Sequence, residues 1–76
     1  MPKITPIHWG KFAKFLKYVG CKHKRTKGDH LVYWRGDVKR PIVFHKDADI
    51  PVFIIKNNLR VLGISSSEYI EILKRL

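Results

Sequence analysis

One cysteine, Cys21, and six Asp or Glu residues are nearly all the thiol and carboxylate chemistry that this chain of 76 residues holds. A lone thiol can build neither an internal disulfide nor a multi-thiolate zinc site, so a fold without staples in a reducing, cytoplasmic setting is expected. No apolar run approaches the length of a membrane span, and Met1-Pro2-Lys3-Ile4 lacks the apolar stretch of a signal peptide, so no membrane association is expected. Gly28 and Gly36 stand isolated in turn-like surroundings, which excludes a Walker or dinucleotide phosphate loop. His23, His30 and His45 have no recognisable ligand spacing and no carboxylate cluster beside them, so neither metal nor cofactor is expected. No linker or repeat divides residues 1–76, which read as one domain. A chain this short buries about 60% of the surface its unfolded form exposes.

What the chain has is positive charge, unevenly placed. The net charge is +10, and all of it lies up to Lys46, where twelve Lys and Arg face Asp29 and Asp37; from Asp47 onward four basic residues balance four acidic ones. Solubility alone seldom concentrates charge this way. A basic surface on one part of a small domain captures polyanions, which favours nucleic acid over an acidic small molecule.

Trp9, Phe12, Ala13, Leu16 and Val19 recur at the spacing of one helical face. Thr5-Pro6 and His8 are alternative starts for this helix, and Gly20 is placed to end it in a left-handed conformation. Three strands are expected next. Lys22 to Lys27 leads into Gly28-Asp29, where glycine suits the first central position of a type II′ turn. His30 to Arg35 follows, then a turn at Gly36-Asp37, then a third strand from Lys39 or Arg40 to about His45, with Pro41 near its start. After a polar loop over Lys46 to Ile50, Asp49 and Pro51 introduce a helix carrying Val52, Ile55, Leu59 and Leu62 and closing at Gly63. Ser65 with Glu68 makes a capping box for a last helix with Tyr69, Ile72, Leu73 and Leu76 on one stripe. The expected fold is α+β of order αβββαα, a three-stranded antiparallel sheet with helices on one face.

Register sharpens this picture. A turn at Gly28-Asp29 sets Lys27 opposite His30, Arg25 opposite Val32 and His23 opposite Trp34; a turn about Asp37-Val38 sets Arg35 opposite Arg40 and His30 opposite His45. Leu31, Tyr33, Ile42 and Phe44 then share the helix-packed face. The open face carries His23, Arg25, Lys27, His30, His45, Val32, Val43 and Trp34.

Breaking an RNA phosphodiester without metal requires one group to take the 2′-hydroxyl proton, another to protonate the leaving oxygen, and positive charge on the crowded phosphate. Histidine, with an ordinary pKa of about 6.5, suits both proton steps. His30 is the candidate catalytic residue, with His45, Arg25 and Lys27 in support. Lys22, Lys24, Arg25, Lys27, Arg35 and Trp34 are candidate RNA contacts, Trp34 by base stacking. The plain alternatives are a strand-end histidine satisfied by backbone groups and an ordinary packed tryptophan. At the level of the whole chain, the rivals are a non-catalytic module of the double-stranded RNA-binding type and a surface that serves only a protein partner.

Several short motifs resemble the HicA toxin family: Gly20-Cys21, the run Arg25-Thr26-Lys27-Gly28-Asp29-His30, the strand Ile42-Val43-Phe44-His45, and the helix end Leu62-Gly63-Ile64-Ser65. The resemblance implies an αβββα fold similar to double-stranded RNA-binding domains, an mRNA-cleaving toxin with a catalytic histidine at His30, and neutralisation by a HicB-like antitoxin. Asp29 stands where that family commonly has Ser or Thr, and the first strand is unusually polar for it.

Overall fold

The structure is a computed structural model and describes residues 3–76. Met1 and Pro2, part of the stretch read above as lacking a signal sequence, lie outside the described residues. In chain order the elements are β1 (Ile7–His8), α1 (Trp9–Tyr18), β2 (Lys22–Lys27), β3 (His30–Trp34), β4 (Ile42–His45), β5 (Asp49–Ile50), α2 (Val52–Leu62) and α3 (Ser66–Lys74). The expected αβββαα order is present, with two short strands added. Strands β2, β3 and β4 form an antiparallel sheet in that spatial order, and β1 pairs with β5 in a separate two-stranded ribbon. No helix among the described residues is long and apolar enough to cross a membrane.

Alternation along the strands builds the core. Leu31, Tyr33, Ile42 and Phe44 are all buried, as their period-two spacing requires. Phe12 stacks edge-on against Phe44 at a ring separation of 5.1 Å, which fixes α1 on that face. Phe15, outside the expected stripe, is also fully buried, because α3 sets Tyr69 edge-on against it at 4.8 Å. With the sheet on one side and α3 on the other, α1 buries a wider arc than its stripe announces. Full burial of each such ring contributes about 1.5–3 kcal/mol relative to exposure.

The helix ends follow local chemistry. Of the two starts, the later holds: His8 is the N-cap of α1, its Nδ1 accepting from the Gly10 N–H at 3.1 Å. Gly20, at φ 91°, ends that helix in the left-handed region. Ser65 and Glu68 form half of their capping box: Ser65 Oγ accepts from the Glu68 N–H at 3.1 Å, while the Glu68 carboxylate takes the Ser65 hydroxyl at 3.2 Å in place of the Ser65 N–H.

Three expectations are corrected. Asp49 does not cap α2: it pairs with His8 in the ribbon, and Pro51 is the N-cap without a side-chain bond. Leu76 is 40% exposed, since α3 ends at Lys74 and the stripe runs out before it. The third strand begins at Ile42, so Arg35 and Arg40 do not pair. Val38 folds into the core from the intervening loop, and Pro41 has no N–H with which to extend the ladder.

Tyr69 is 1% exposed and its hydroxyl finds no partner, and burial pushes its phenol up to about 12. A buried hydroxyl without a bond is destabilising, so Tyr69→Phe is expected to stabilise the fold by about 1 kcal/mol in urea melts at pH 7. The native phenol holds its proton more tightly than the unfolded one, whose pKa is about 10. Stability therefore falls as pH rises from about 10 to about 12, and this variant should show a shallower alkaline loss.

Candidate active site and basic face

The tight turn at Gly28-Asp29 organises the site. Gly28 takes φ 61° and Asp29 keeps the ordinary sign, as a type II′ hairpin demands. Lys27 consequently pairs with His30, Thr26 with Leu31 and Arg25 with Val32. On the other side β3 pairs with β4 so that His30 lies opposite His45, their rings 4.2 Å apart and tilted by 49°. The expected meeting of the two histidines is present.

Asp29 joins them. One carboxylate oxygen lies 3.1 Å from His30 Nδ1, and the other lies 3.3 Å from His45 Nδ1, which hydrogen-bonds to it. Its backbone carbonyl accepts the Lys46 N–H at 2.7 Å, tying the hairpin tip to the end of β4. The Asp29 carboxyl is held below the usual carboxylate range, first by its own backbone N–H, then by the His45 hydrogen bond and the charges of both rings. An ionised carboxylate on both Nδ1 atoms orients each ring and leaves each Nε2 free for chemistry. Asp29, His30 and His45 are all exposed.

Beside the pair runs a groove of about 480 Å³, lined by His30, Val43, His45, Pro51, Phe53 and Ile54 among others. Phe53, 65% exposed on the first turn of α2, is the residue that sequence reasoning missed. The available signal was an aromatic ring off the Val52, Ile55, Leu59 and Leu62 stripe.

The other end of the face differs from expectation. The β2–β3 register shifts between His23 and Arg25, leaving Lys24 as the extra residue of a β-bulge. Beyond it the alternation inverts, so His23 pairs with Tyr33, not Trp34, and its ring meets Tyr33 edge-on at 5.4 Å. Its Nε2 bonds to Thr26 Oγ1 at 2.9 Å. Lys22 takes the place opposite Trp34, and the Lys24 ammonium lies over the indole at 5.3 Å from its centre. Trp34 is half-buried. Lys22, Lys24 and Trp34 thus gather at one end of the face, with Arg25 and Lys27 leading toward the histidines.

Arg35, also expected among the RNA contacts, lines the same pocket as Lys22, Lys24 and Trp34, and its guanidinium is engaged by the fold. Its guanidinium donates to the Val19 carbonyl at 3.1 Å and the Leu62 carbonyl at 3.0 Å, at the C-terminal ends of α1 and α2, and to the Asp37 carboxylate. The same guanidinium keeps the Asp37 carboxyl below its ordinary range.

The chain matches the family model described as the HicA toxin of bacterial toxin–antitoxin systems over residues 9–64. The chain belongs to the HicA toxin family. No match is found among curated proteins or among solved structures. The matched segment runs from the first residue of α1 past the end of α2, so it includes the whole sheet and the Asp29–His30–His45 cluster of this HicA-family chain.

Since Arg35 satisfies otherwise free carbonyls at two helix ends, Arg35→Ala is expected to lower unfolding free energy by about 2–3 kcal/mol in denaturant titration. Arg35→Lys should recover part of this loss, because an ammonium lacks the planar fork that spans three partners.

Proposed function

We propose that this chain is a toxin-type endoribonuclease that cleaves mRNA without a metal ion and is neutralised by a HicB-like antitoxin. The observation that carries the reading is the cross-strand His30–His45 pair, oriented by Asp29 and set on an exposed basic face in a chain of the HicA toxin family. Two adjacent imidazoles supply both proton steps. One takes the proton of a ribose 2′-hydroxyl, the 2′-oxygen bonds to phosphorus, and the bond to the 5′-oxygen breaks as the other imidazole, protonated, delivers its proton there. The products are a 2′,3′-cyclic phosphate and a 5′-hydroxyl. His30 is the principal catalytic residue and His45 its partner.

Lys27, opposite His30, and Arg25, two residues back on the same face, stabilise the charge that gathers on the phosphate oxygens. Lys22, Lys24 and Trp34 hold the strand further along, the ammonium groups on phosphates and the indole on a base. An antitoxin that covers this face would block both binding and chemistry.

Cleavage of RNA in EDTA, followed by end-group mapping, tests the reading. Wild type should cut and leave cyclic phosphate ends, while His30→Ala should fall by about 10²–10⁴-fold and keep its circular dichroism and RNA affinity. A His30→Ala chain that cuts at the wild-type rate overturns the assignment of His30. Wild type that binds RNA and yields no products overturns the enzyme reading.

The basic end of the face makes a separate prediction. Lys22→Ala and Lys24→Ala should each weaken binding with little dependence on sequence. Each should reduce the slope of log affinity against log salt by about 0.7 for every phosphate that the chain no longer neutralises.

A further inference from the structure

Among the described residues, Asp29, His30 and His45 are the group whose ligand atoms converge: a carboxylate oxygen and two imidazole nitrogens lie within 4.8 Å of one another. His23, the third histidine of this part of the chain, is taken away by the bulge and bonded to Thr26. We propose that Asp29, His30 and His45 bind a zinc ion that inhibits the protein.

The spacing carries the proposal. Zinc bonds to imidazole nitrogen and carboxylate oxygen are about 2.0–2.2 Å long, so neighbouring ligands on a tetrahedron stand about 3.3–3.5 Å apart. One Asp29 oxygen stands 3.1 Å from His30 Nδ1 and the other 3.3 Å from His45 Nδ1, so a turn of the exposed carboxylate brings a single oxygen toward both nitrogens, within a group that already spans no more than 4.8 Å. A metal ion bound beside these atoms displaces the His45–Asp29 hydrogen bond and needs only side-chain adjustment. All three side chains are exposed, so the rings can turn the remaining distance, and the fourth coordination position faces solvent. The hairpin tip and the end of β4 are already joined through the Asp29 carbonyl and the Lys46 N–H, which holds the ligand-bearing backbones together before the ion arrives.

Charge limits the affinity. Lys27 lies opposite His30 and Lys46 follows His45, while Asp49 lines the adjoining groove, so the surroundings are net basic and oppose a divalent cation. Nitrogen ligands make zinc a better match than magnesium or calcium, which take oxygen donors. With zinc on both rings neither imidazole can move a proton, so the site is silent while the ion is bound. Metal binding stands on the geometry alone, whereas inhibition rests on the ribonuclease reading given above.

Calorimetric titration of the chelator-treated full chain with zinc chloride separates the two. One zinc per chain is expected, with at least tenfold weaker binding in Asp29→Asn and in His45→Ala and unchanged binding in His23→Ala. Circular dichroism of each variant checks the fold. In parallel, RNA cleavage should be lost on adding one equivalent of zinc above the dissociation constant and restored by EDTA. No saturable binding, or binding that Asp29→Asn and His45→Ala leave unchanged, overturns the site. Zinc binding with the expected variant pattern, in a chain that never cuts RNA, upholds the site and overturns the ribonuclease reading.

Discussion

Asp29 ties the hairpin tip to the neighbouring strand by both backbone and side chain, and the geometry of the site depends on it. Its carbonyl takes the Lys46 N–H, and its two carboxylate oxygens face one imidazole each. Exposed histidines ordinarily sample several rotamers, and ordering them costs conformational entropy. A single carboxylate facing both Nδ1 atoms spreads that cost over one shared anchor. The anchor sits one residue from one ring and sixteen from the other, so the local turn and the long-range strand pairing are set by the same residue.

The positive charge of the chain serves two ends that the count of basic residues does not separate. Arg35 commits its guanidinium to two helix-terminal carbonyls and one carboxylate, where the helix dipoles also favour a cation. Lys22, Lys24, Arg25 and Lys27 lie along an all-exposed strand. A guanidinium with a fixed fork suits the three partners of Arg35, whereas Lys22, Lys24, Arg25 and Lys27 keep their charges turned to solvent. Gly20 lies against the Arg35 side chain, where a Cβ would reach 3.5 Å from Arg35 Cδ, so the end of α1 gathers closely round this one residue.

Much of the architecture was legible because it rests on periodicity and short-range chemistry. Leu31, Tyr33, Ile42 and Phe44 alternate, so their burial and the register of β3 on β4 follow from spacing, and the capping box at Ser65 is local by nature. The meeting of His30 with His45 was legible for the same reason. What was not legible depended on partners far along the chain. The bulge at Lys24 adds a residue that no alternation pattern in the polar run Lys22–Lys27 could reveal, since every position there is exposed. Arg35 reads as one more surface cation until α1 and α2 bring their carbonyls to it. Asp49 and Pro51 spell a helix start, yet β1 offered Asp49 a strand partner that local patterning does not represent.

The bulge also bears on what can approach the sheet from the side. β2 is one edge of the sheet, and an unprotected edge is a template on which another chain can extend hydrogen bonding. Here the ladder is broken between His23 and Arg25, and lysines stand along the same strand. An incoming strand would meet donors and acceptors out of step and a row of exposed ammonium groups. A polynucleotide needs neither regular spacing nor a matching backbone, so this rim discourages self-assembly while leaving a flexible polyanion free to lie across it.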